Sequence, residues 1–91
     1  MCILSNCYDH NDISSRLAKI AGHVQAVKRM VDEERNCEEI LLQIGAVKSA
    51  LDKVGRLVLE GHLEGCVLEG IRSGNGEEVI HELKSALAKY L

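Results

Sequence analysis

From Cys37 to about Gly70 the chain carries one long helical pattern, and its length constrains what the rest can be. Ile40, Ile44, Val47, Leu51, Val54 and Val58 recur at steps of four, three, four, three and four residues, which lines one face of an α-helix. About 34 residues at ~1.5 Å each make a rod of roughly 50 Å. The sequence contains no Pro that would interrupt it. Asn36, followed three residues later by Glu39, reads as a capping-box start. An earlier segment, about Ile13 to Glu34, repeats the pattern with Ile13, Leu17, Ile20, Val24, Val27 and Val31, and Asn11 or Asp12 can cap it. Ser73-Gly74-Asn75-Gly76 is a breaker. A short third helix follows, with Val79, Ile80, Leu83 and Leu87 on one face. The expected fold is all-α, with two long helices and a short C-terminal one. Residues 1–12 are expected to be a flexible N-terminal tail and residues 13–91 a single helical domain.

A rod apolar along its length cannot be covered by one helix of about 22 residues and another of about 14. Leu41, Leu59 and Leu63 add a second apolar strip off the main stripe. With 91 residues and neither Phe nor Trp, one chain builds only a modest core. The sequence therefore predicts a dimer in which two helical hairpins form an antiparallel four-helix bundle, with room for a further pairing into a dimer of dimers.

No apolar run approaches the ~20 residues that span a bilayer, and the first fifteen residues lack the features of a signal peptide. The expectation is a soluble, cytoplasmic protein. In a reducing compartment its four Cys point to metal or thiol chemistry rather than to disulfides. Net charge is −3, but residues 16–56 carry eight Lys/Arg against six Asp/Glu and are net +2. From charge alone an ordinary solvated helix face is the plainer reading of these cations.

His62 and Cys66 are four residues apart, which puts both on one helix face, one turn apart. They lie about three turns beyond Leu51 and continue the apolar stripe. Cys37 precedes His62 by 25 residues, about 37 Å along the same rod, so the three cannot meet within one chain. In an antiparallel dimer, Cys37 of one chain lies beside His62 and Cys66 of the other. Two thiolates and an imidazole, with no carboxylate, suit Cu(I). On spacing alone, buried small residues and a capping His account for the same positions. Cys2, Cys7 and His10 form a second grouping that reads as a metal cluster or, more simply, as a tail with exposed thiols. His23 and His81 read as surface or structural residues. No P-loop, dinucleotide fingerprint, hydrolase triad or helix-turn-helix is present.

Taken together, several runs carry a resemblance. They are Arg16-Leu17, Ile20, Gly22-His23-Val24 and Val27; then Met30 and Cys37; then Leu41-Leu42-Gln43-Ile44 and Ala46-Val47; and finally Leu59, His62-Leu63 and Cys66. Over about residues 13–91 the chain resembles the CsoR/RcnR/FrmR family of metal- and small-molecule-sensing repressors. The resemblance implies an all-α dimer of dimers that binds double-stranded operator DNA without a helix-turn-helix and releases it when inducer binds. No nucleophile–base–acid set can be assembled from the residues, so an enzyme is not expected.

The Cys37, His62, Cys66 set looks like the copper branch of that family, with Cu(I) as inducer. The formaldehyde branch lacks the last Cys, and the persulfide branch has Cys in place of the His. The nickel/cobalt branch has an extra His where this chain has Ser5. Glu82 matches a glutamate that couples the metal-bound His to the helical core. Asn36 departs from the Tyr that often precedes the first Cys in the copper branch. For DNA, the resemblance implies a basic face in which Arg16 and Lys53 match best, with Lys19, Lys28, Arg29, Lys48 and Arg56 in support. The rival readings are a same-fold repressor induced by nickel, zinc, formaldehyde or reactive sulfur, and a copper-buffering protein that does not bind DNA.

Overall fold

The computed structural model describes residues 8–90, apart from the side chain of Cys66. Helix α1 spans His10–Asp32, α2 spans Cys37–His62, a single π-helical turn spans Leu63–Val67, α3 spans Leu68–Arg72 and α4 spans Gly76–Tyr90. The described residues contain no strand, so the architecture is all-α. The expected second helix is present as a continuous helical stretch, Cys37 to Arg72, with the π turn set into it.

The chain divides into two compact units. Residues 11–56 hold nearly all of α1 and the larger part of α2. Here the His23 ring hydrogen-bonds to Gln43 Oε1 at 2.7 Å, joining two residues 20 apart in sequence. With only residues 33–36 connecting the helices, this contact makes the unit an antiparallel helical hairpin.

The connection is well determined locally. Glu34 has φ 56°, Arg35 N–H donates to Met30 O at 2.9 Å, and Glu34 N–H donates to Val31 O at 3.0 Å. These two bonds form a Schellman motif that satisfies the last carbonyls of α1. Asn36 Oδ1 then accepts from Glu39 N–H at 3.0 Å and caps α2. The reciprocal half of the expected capping box is not made. Glu39 instead takes Arg35 Nη2 at 2.9 Å, because an ion pair is the stronger partner for an ionised carboxylate.

The start of α1 differs from the sequence reading. The helix begins at His10, whose ring stacks on Tyr8 at 4.6 Å, so Asn11 and Asp12 lie inside the first turn rather than at the cap. An acid in that turn complements the positive end of the helix dipole. Asp12 also accepts from Arg16 Nε at 3.0 Å.

Residues 57–90, with residues 8–10, belong to the second unit. Gly74, at φ 89°, ends α3 in the same motif. Asn75 N–H reaches Gly70 O at 2.7 Å and Gly74 N–H reaches Ile71 O at 3.2 Å. Asn75 O then accepts from Val79 N–H at 3.0 Å as α4 starts. Helix α4 packs on α3 and on the π turn. Gly70 is buried, and a Cβ there would collide with Val79 Cγ2 and sit 3.1 Å from Val79 Cβ.

Among the described residues only Ile13, Ile20, Val54 and Val67 are buried apolar side chains. Of the other stripe residues, Leu17 is 42% exposed, Val24 47%, Val31 53%, Ile44 47% and Leu51 46%, while Val27, Ile40, Val47 and Val58 are half-buried. One chain leaves its own stripes uncovered, as the length argument requires. No helix among the described residues is long and apolar enough to cross a membrane.

Candidate metal centre and nucleic-acid interface

Cys37 is the first residue of α2, next to the Asn36 cap, and its thiol is free and exposed. His62 is the last residue of the same helix and is half-buried. Burial lowers its pKa below the ordinary histidine value of 6.5. At neutral pH the imidazole is therefore uncharged, the form that binds metals. Cys66 falls within the π turn Leu63–Val67.

The backbone between His62 and Cys66 is thus not the regular α-helix that the four-residue spacing assumed. A π turn lies there, a distortion found frequently at functional sites. It has no signature in residue type or apolar period, so the sequence could not reveal it. Glu82 is half-buried on α4, in the same unit as His62. Among the described residues no three His, Cys, Asp or Glu side chains converge on a metal position within the chain. Cys37 and His62 occupy opposite ends of one 26-residue helix. A site that uses both needs a second chain. Cys2 and Cys7 lie outside the described residues. His10 is exposed at the start of α1.

The seven basic candidates all fall in the unit of residues 11–56. Arg16, Lys19, Lys28 and Arg29 are on α1, and Lys48, Lys53 and Arg56 are on α2. Three of them are engaged one turn along their own helix. Arg16 Nε is 3.0 Å from Asp12, Lys28 Nζ 2.8 Å from Asp32 and Arg56 Nη2 2.6 Å from Asp52. Lys19, Arg29, Lys48 and Lys53 are exposed and make no ion pair among the described residues. The sequence reading takes Asp12 only as a cap and pairs none of these aspartates with a cation, although the four-residue spacing is legible. It also passed over the His23–Gln43 bond, which sets α1 against α2 and so fixes the register of the cations the two helices carry. A contact between residues 20 apart leaves no periodic trace.

The family described as metal-sensitive transcriptional repressor matches residues 9–89. The copper-sensing transcriptional repressor CsoR of Bacillus subtilis (strain 168) is 39% identical over 82 residues, covering 90% of this chain and 81% of that protein. The chain spans 61% of the length of the copper-sensing transcriptional repressor CsoR of Mycobacterium bovis (strain BCG / Pasteur 1173P2), at 34% identity. The crystal structure of the copper-sensing repressor CsoR with Cu(I) from Geobacillus thermodenitrificans NG80-2 superposes with a TM-score of 0.85 at 40% identity, over 88% of this chain and 83% of that one. The nickel-responsive transcriptional regulator InrS superposes with a TM-score of 0.83, also at 40% identity, over 97% of this chain and 99% of that one. The fold and the match over nearly the whole chain agree: this protein belongs to the family of metal-sensitive transcriptional repressors, which are regulators and not enzymes.

Proposed function

We propose that the chain is a Cu(I)-responsive repressor of the cytoplasm that binds double-stranded operator DNA and releases it when Cu(I) is bound. Two protomers pair antiparallel, and two such dimers associate. Cys37 of one protomer, with His62 and Cys66 of the partner subunit, would hold the metal, two sites to a dimer. Bound Cu(I) supplies a soft Lewis-acid cross-link between the chains. Within each chain His62 offers one ring nitrogen to the metal and donates its other N–H toward Glu82 on α4. That bond ties the state of the site to the C-terminal helix. The DNA face comprises Arg16, Lys53, Lys19, Lys28, Arg29, Lys48 and Arg56. A coupling of about 1–3 kcal/mol between the two sites is the usual size for such a linkage, and it is reciprocal.

What carries this reading is the donor set itself: an exposed, free Cys37 thiol at one end of α2 and a neutral His62 at the other. Two sulfurs and one nitrogen without a carboxylate match Cu(I) better than Ni(II) or Zn(II). A nickel-induced repressor is the second reading. Its support is the likeness to InrS over almost the full length of both chains. The test is an anaerobic Cu(I) titration of the protein bound to DNA from its own upstream region, followed by anisotropy, with Ni(II) and the Cys37→Ala variant in parallel. Release near one Cu(I) per chain, lost in the variant, is the expected result. Release by Ni(II) alone replaces copper with nickel, and indifference to both metals moves the inducer to thiol-reactive species at Cys37.

A further inference from the structure

The seven cations of the proposed DNA face are of two kinds. Lys19, Arg29, Lys48 and Lys53 stand exposed without an internal counter-charge among the described residues. Arg16, Lys28 and Arg56 each lie within 2.6–3.0 Å of an aspartate one turn away on the same helix. We infer that Asp12, Asp32 and Asp52 are built-in competitors of the DNA phosphates, and that they set how tightly and how salt-dependently this face binds DNA. The inference rests on the DNA face proposed above.

A phosphate that approaches Lys19 or Lys53 meets a cation with no acidic residue three or four positions away on its helix and is neutralised by it. One that approaches Arg56 meets a pair of zero net charge. If the phosphate captures the guanidinium, the displaced Asp52 carboxylate stays one turn away, repels it and recruits a cation from solution. Each phosphate truly neutralised contributes about −0.9 to the slope of log K against log salt. The paired positions therefore add little to that slope, and the other four cations dominate it.

The same pairs do little for the fold. They are solvent-exposed, with Arg56 68% and Asp52 48% open, and exposed pairs of this kind contribute little to stability. Their consequence therefore falls on binding. Asp52 is the cleanest site to change, because it lies mid-helix on α2, far from the helix ends. Asp12 and Asp52 each take part in a further interaction, so Asn is the right replacement. It keeps the size and one acceptor oxygen of the side chain and removes the charge.

The experiment uses the full chain and a labelled duplex from its own upstream region, with anisotropy followed from about 50 to about 200 mM salt. The variants are Asp52→Asn, Asp32→Asn and the triple variant with Asp12→Asn. Glu77→Gln on α4 removes the same charge away from the face, and Lys48→Ala with Lys53→Ala tests the face itself. Circular dichroism checks that each variant is helical. Each Asp→Asn change is expected to tighten binding by roughly twofold to fivefold, the scale of an exposed ion pair. The triple variant should steepen the salt slope by about two to three, with a clearly smaller effect from Glu77→Gln. Unchanged affinity in the Asp variants, or an equal gain in Glu77→Gln, overturns the competitor role. If the lysine changes weaken binding in that case, the DNA face still stands. If they do not weaken it, the face and this inference fall together.

Discussion

Glu34 and Gly74 occupy the same structural position, the left-handed residue that closes a Schellman motif, with φ 56° and 89° respectively. At Gly74 the absence of a Cβ makes the conformation free of strain. At Glu34 the side chain makes it unfavourable by about 1 kcal/mol. Replacing Glu34 by Gly is therefore expected to raise stability by about 0.5–1 kcal/mol, and replacing Gly74 by Ala to lower it by about 1–2 kcal/mol, both measurable by urea denaturation. His62 gives a third outcome at this scale. Its folded pKa is depressed by burial, so the unfolded chain binds the proton more readily. This residue leaves stability unaffected above about pH 6.5 and subtracts from it as pH falls below that value. Metal-free protein should lose stability between about pH 7 and about pH 5, with a shallower decline in His62→Gln.

At the scale of elements, the tight fit is between α3 and α4. The buried Gly70 leaves no room for a methyl group against Val79. Gly70→Ala should destabilise the protein by roughly 1–3 kcal/mol through overpacking, more than the ~0.5–1 kcal/mol that Ala gains in a helix. Adding Val79→Ala should recover part of the loss, since it removes the colliding atom. If Gly70→Ala were instead stabilising, the close approach of the two helices would be wrong. The elements also show which signals a sequence carries. The Asn36 cap, the break at residues 73–76 and the continuous apolar period of α2 were all legible because they are local. The π turn Leu63–Val67 was not, because the residues on either side keep a helical pattern and only the backbone bonding changes. The α1 start at His10 was missed for a related reason. Asp12 lies within the first turn and pairs with Arg16, so the residue type is right for a cap but its position is not.

For the whole molecule the governing fact is exposure. Leu41 and Leu42 are 67% and 72% exposed, and much of each long stripe is open. A chain that leaves this much apolar surface uncovered needs partners, and in an obligate oligomer stability depends on protomer concentration. The melting temperature should therefore rise with protein concentration. Leu51→Glu, on the main stripe, should abolish that dependence and lower the sedimentation mass. A concentration-independent melt in the unaltered protein would contradict assembly. The proposed metal site depends on the same question, because Cys37 and His62 are at opposite ends of one helix.

Helix type, helix order and the capping residue were determined by the sequence, since each depends on periodicity or on residues within a turn of one another. The length of α2 against its possible cover already implied that one chain is incomplete. Four features were decided by the tertiary structure: the His23–Gln43 register, the Gly70–Val79 approach, the π turn at Cys66 and the burial that keeps His62 neutral. The first two join residues distant in sequence. The others follow from how helices pack and how the backbone adjusts to that packing, and neither is encoded in a residue's immediate neighbours.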